Sequence, residues 1–128
     1  MRILLDTHAM VWWATGDRRL SRKARLTIAD PQTEVFISIA SAWEIQIKAT
    51  LTRLSLNESV DALYRSLIID QDFRMIGIEL GDIDQLSKLP LHHRHPFDRI
   101  LVAQSLRGDF TLVTKDSVVS AYGARTLW

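Results

Sequence analysis

The chain has 128 residues, 47% of them hydrophobic and 24% charged, with a formal net charge of +1. That is the size and composition of a single globular domain, residues 1–128, and the near-balanced charge neither demands nor excludes a nucleic-acid partner. Having no Cys, the chain can form no disulfide, thiolate zinc site or Cys nucleophile, which suits a cytoplasmic protein, and no stretch has the ~18 apolar residues of a membrane span or the layout of a signal peptide.

Ile3-Leu4-Leu5 is a short continuous apolar run, the pattern of a strand buried on both faces. Asp6 ends it, and 9–14 reads as a helix. Gly16-Asp17 breaks the pattern. Leu20, Ala24 and Ile28 then recur every four residues, with Ser21 as N-cap, which predicts a short helix ending at Asp30-Pro31. Its outer side carries Arg18, Arg19, Arg22, Lys23 and Arg25. These read first as a solvated helix face and second as a phosphate-steering patch.

Residues 34–39 make the second strand, rich in β-branched and aromatic residues. A helix follows over about 41–54. On it Trp43, Ile47 and Leu51 share one stripe, and Glu44 and Lys48 share the next at the favourable i, i+4 spacing. Asn57 or Ser59 can cap the next helix, and 74–78 is a weaker strand. A short helix over 82–89 stops at Pro90. The polar loop Leu91-His92-His93-Arg94-His95-Pro96 reads as solvent-facing. A helix over 97–106 follows, with Gly108 past its end. Residues 110–114 are another buried strand, Asp116 opens a helical turn, and 123–128 form an edge strand. Strands alternating with helices predict a three-layer α/β/α sandwich with a mostly parallel central sheet.

Four carboxylates take comparable places in that topology. Asp6 ends the first strand, and Asp116 comes just past the strand ending at Thr114. Glu44 and Asp98 read as first-turn residues of crossover helices. In a parallel sheet, strand ends and the starts of the following helices share one edge, where ligands bind. Packed carboxylates repel, and a hard divalent cation relieves that repulsion. An acidic cluster without Cys points to Mg²⁺ or Mn²⁺ rather than zinc. No nucleophile signature and no Gly-rich phosphate loop is present. The best match is metal-assisted hydrolysis of a phosphodiester. Taken one at a time, the same acids read as helix caps, dipole partners and turn residues. On that reading the chain is a catalytically silent interaction module presenting Trp12, Trp13 and Trp43.

An ordered set of motifs adds to this. Leu4-Leu5-Asp6-Thr7-His8 is followed by Trp12-Trp13, by Ser38-Ile39-Ala40-Ser41-Ala42-Trp43-Glu44-Ile45 with Ile47-Lys48, by His95-Pro96-Phe97-Asp98-Arg99, and by Leu112-Val113-Thr114 with Asp116. Together they resemble the PIN domain, and within it the VapC-type toxins of bacterial toxin–antitoxin pairs. The resemblance implies a Mg²⁺- or Mn²⁺-dependent endoribonuclease. It places metal-site roles on Asp6, Glu44, Asp98 and Asp116 and an accessory hydroxyl on Thr114. It also implies an RNA substrate, a homodimer and a cognate antitoxin as partners. No family acid is missing. Many members carry Asn or Ser where this chain has His8, and a subgroup carries His, so the role of His8 stays open. The 18–25 region and the 94–99 loop are the candidate RNA contacts.

Overall fold

A computed structural model describes residues 1–50, 58–91 and 95–128. Five parallel strands form one sheet in the order β3-β2-β1-β4-β5: β1 (Arg2–Leu5), β2 (Glu34–Ser38), β3 (Arg74–Ile76), β4 (Thr111–Val113) and β5 (Thr126–Leu127). β1 lies at the centre. Ile3 is opposite Val35 on one side and Thr111 on the other. The three-layer α/β/α architecture expected from the alternation of elements is the one present.

The alternation within β1 builds two cores. Ile3 and Leu5 face one side with Val35, Ile37 and Val113, under α1 (Thr7–Thr15), α2 (Arg22–Ala29) and α4 (Val60–Gln71). Leu4 faces the other side with Phe36 and Leu112, under α6 (Pro96–Gly108) and a 3-10 helix at Ser117–Tyr122. Ile3, Leu4 and Leu5 are all fully buried, each contributing about 1.5–3 kcal/mol. Polar groups brought inside are paired. Ser38 at the end of β2 donates to Gln104 Oε1 at 2.7 Å, and Gln104 Nε2 donates to the Gly77 carbonyl at 3.0 Å.

The helix starts follow side-chain chemistry. Ser21 caps α2 by accepting from Ala24 N–H, and Ser59 caps α4 by accepting from Ala62 N–H. The alternative cap Asn57 lies outside the described residues, as do Leu51 and the expected end of the helix near Leu54.

Three expectations need correction. α3 (Ile39–Thr50) begins two residues before Ser41, because Ser38 turns its side-chain oxygen to Ala40 N–H at the start of the helix. Its Trp43–Ile47 stripe faces outward, Trp43 being 61% exposed, while Ser41, Glu44 and Ile45 are buried. α5 (Leu80–Leu86) starts before Asp82, because Glu79 and Asp82 form a reciprocal capping box. Gly108 is the last residue of α6, not the residue beyond it, and Asp109 turns the chain at φ 55°. Gly108 is needed for close approach. A Cβ there would stand 2.2 Å from the Phe110 ring.

Candidate active site

β1 delivers Asp6 to the carboxyl edge of the sheet, where it becomes the N-cap of α1 and Oδ1 accepts from Ala9 N–H at 2.8 Å. The cap role and a role in a site thus coexist. Burial is the main force on its proton affinity and lifts the carboxyl from 3.8 to about 6. Hydrogen bonds from Ala9 N–H and the Thr114 side chain pull the other way, and the neighbouring Asp98 and Glu44 charges push it further up.

β4 delivers the second acid. Thr114 follows it, and Asp116 N–H donates to Thr114 Oγ1 at 3.1 Å. Asp116 caps the 3-10 helix, accepting from Val118 N–H at 2.9 Å. This turn holds Thr114 against Asp6 on one side and ties it to the Asp116 backbone on the other. The third acid, Asp98, sits in the first turn of α6 as expected. The N-cap of α6 is His95, whose Nδ1 lies 3.4 Å from Asp98 N and 3.4 Å from Asp98 Oδ2.

Asp6, Asp98 and Asp116 line one cleft of about 340 Å³ together with His8, Trp12 and Lys115. The His8 ring stacks on Trp12 at 5.4 Å, and the Arg19 guanidinium lies 4.9 Å from the Trp12 ring. Burial, then the Lys48 charge, lowers the His8 pKa, with Glu44 and Asp98 opposing.

Glu44 is placed differently from its expectation. It lies a turn further into α3 than the first turn, because the helix starts at Ile39. It is 2% exposed. Oε1 accepts from the Thr7 hydroxyl at 2.5 Å, and Oε2 meets Lys48 Nζ at 2.6 Å and faces His95 Nε2 at 3.6 Å. It acts on Asp6 through its charge. Among the described residues, no three Asp, Glu or His groups stand close enough to cage a metal ion by themselves. The acids in the cleft offer carboxylate oxygens beside the His8 imidazole, and the Asp6 carboxyl is raised chiefly by burial and further by its acidic neighbours. Such a set fits a hard cation that keeps several waters and takes further oxygens from a substrate.

Several residues escaped the sequence reading. Lys115 had no pattern to mark it. His95 read as loop, although its place directly before Pro96, a favoured first helical residue, is where an N-cap belongs. His92, His93 and Arg94 lie outside the described residues. Of the proposed RNA-contact arginines, Arg99 instead donates to the Leu86 and Pro90 carbonyls, and Arg25 to those of Asp17 and Leu20. Trp12 is buried against Trp128, and Trp13 donates to Gln71 Oε1. Only Trp43 of the expected aromatic face is strongly exposed.

A central parallel sheet with acids at its carboxyl edge defines a class of α/β proteins with an edge-on acidic cleft. The sequence profile of the PIN domain matches residues 3–124, so the chain belongs to the PIN domain family. No curated protein matches it. Among solved structures it is similar to VapBC2 from Rickettsia felis bound to a promoter DNA fragment, with 12% identity and a TM-score of 0.72, covering 99% of this chain and 98% of that one. It is similar to FitAcB from Neisseria gonorrhoeae at 15% identity and TM-score 0.65, covering 100% and 97%. A toxin–antitoxin complex from Klebsiella pneumoniae matches at 18% identity and TM-score 0.62, covering 98% and 96%. At these identities the likeness is one of fold. Among the described residues no helix is long and apolar enough to cross a membrane.

Proposed function

We propose that this chain is a Mg²⁺- or Mn²⁺-dependent endoribonuclease acting as the toxin of a toxin–antitoxin pair. One observation carries the reading: Asp6, Asp98 and Asp116, far apart in sequence, line a single cleft at the carboxyl edge of the sheet. The PIN profile supports a nuclease. The toxin–antitoxin complexes among its structural relatives support a cognate antitoxin as partner. A homodimer is part of the same proposal.

In this reading Asp6, Asp98 and Asp116 would hold the cation, and Glu44 would set the charge around them. When bound, the ion polarises a phosphoryl group and acidifies a bound water. The chain supplies the rest. Thr114 bonds to Asp6 and, held by Asp116 N–H, fixes the orientation of that carboxylate. Lys115, exposed on the cleft wall, offers a positive charge to the phosphate backbone. Hydrolysis adds water across a P–O bond of RNA, the water oxygen joining phosphorus and the ribose oxygen leaving with a proton.

The test compares RNA cleavage by the wild type and Asp98→Asn with Mg²⁺ or Mn²⁺. A loss of at least ~100-fold with unchanged circular dichroism is expected. Full activity in the folded variant removes the assignment. Should neither ion support cleavage or raise stability, the silent interaction module becomes the better account.

A further inference from the structure

Glu44 is the acid that does not open onto the cleft. Lys48 follows it by one helical turn, a spacing that on an exposed helix face gives only a weak pair. Here the pair is not exposed. The Glu44 side chain is 3% and the Lys48 side chain 27% exposed, with Nζ and Oε2 2.6 Å apart. Thr7 takes the other oxygen at 2.5 Å. A buried carboxylate needs a partner of opposite charge and donors for its remaining lone pairs, and this one has both from its own chain.

We infer that the Lys48 ammonium occupies the place a second divalent ion would take on Glu44, so that the site binds one metal ion per chain. The inference rests on the metal-site reading above and deepens it. Two-ion nuclease sites use the second ion to balance charge and to order a reacting oxygen. An ammonium is a compact point charge with three donors and no Lewis acidity. It balances Glu44 and keeps that carboxylate fixed. It does not coordinate water. Lys48 is therefore a positioning residue, and Glu44 shapes the field around Asp6 rather than ligating an ion.

The test counts ions rather than turnover. The metal-depleted full chain is titrated with Mn²⁺ by calorimetry, with free Mn²⁺ followed by its paramagnetic signal. Wild type and Lys48→Arg are expected to take up one equivalent each. Lys48→Gln, with Glu44 released, is expected to take up two. Adding Glu44→Gln to Lys48→Gln returns the count to one. Two equivalents in the wild type overturn the inference while leaving the metal site standing. One equivalent in a folded Lys48→Gln chain also overturns it. No binding in the wild type instead removes the metal-site reading, and the inference with it. Lys48→Met, which keeps a long stem without charge, replaces Lys48→Gln if that variant does not fold, with the same two outcomes.

Discussion

Asp6→Asn should stabilise the metal-free protein, although it removes a central acid. Asn keeps the side-chain shape and remains a good N-cap. Asp6 has its carboxyl raised from 3.8 to about 6, chiefly by burial, with Asp98 and Glu44 adding to it. At 1.36 kcal/mol per pKa unit, ionised Asp6 costs the fold about 3 kcal/mol. The sign follows from proton counts. Between pH 3.8 and about 6 the folded chain holds a proton that the unfolded chain has released, so stability falls as pH rises through that window. Below it the cost is absent, and above it the cost is complete. Asn does not titrate. The stability difference between variant and wild type should therefore open from about pH 4 and level off near pH 7, by up to about 3 kcal/mol in favour of Asn. The weakened Thr114 contact adds an offset that does not vary with pH. Urea unfolding in a chelator across this range measures the difference directly. Saturating Mg²⁺ should then stabilise the wild type and leave Asp6→Asn unmoved. A difference that stays flat with pH, or that grows in favour of the wild type, would refute the reasoning.

Two further outcomes test the surroundings. Arg107→Ala removes the partner of Asp82, whose side chain is 5% exposed and 2.8 Å from Arg107 Nη1. Because Arg107 is itself 38% exposed, solvent screening moderates the loss, but a lowered melting temperature is expected, and an unchanged one contradicts the burial of Asp82. Trp43→Ala should cost less than about 1 kcal/mol in urea unfolding, since Trp43 is 61% exposed. A loss in the ~3–5 kcal/mol range of a core aromatic would contradict the outward placement of its stripe.

The fold was legible where one physical signal dominated. Ile3-Leu4-Leu5 could be read as a strand covered on both faces because a parallel strand needs apolar residues in succession, and the two cores divide those residues between them. Ser21 announced α2 because a hydroxyl at an N-cap answers a local need, the unpaired amide of Ala24. Helix ends were harder to read. Gly108 looked like a residue past the end of α6 because Gly favours that position. The chain instead spends it on contact with Phe110 and makes the turn with Asp109. A contact to a residue across a turn has no periodicity to betray it.

α3 holds the deeper lesson. By hydrophobicity its inner face should carry Trp43 and Ile47. The face turned inward instead carries Ser41, Glu44 and Ile45. Burying a carboxylate in place of an indole loses hydrophobic stabilisation and adds a desolvation cost. The chain meets that cost with Thr7 from α1 and Lys48 from the same helix, and His95 at the cap of α6 stands 3.6 Å away. Only Lys48 stands at a spacing that sequence can show. Thr7 and His95 lie 37 and 51 residues away from Glu44, and no local pattern links them. A helix that turns a carboxylate inward and an indole outward, with partners from α1 and from its own next turn, is placed by the needs of a charged site rather than by those of the core. The acids at the sheet edge were thus readable as positions. Their division into three that line the cleft and one that is internally neutralised could be read only from the folded chain.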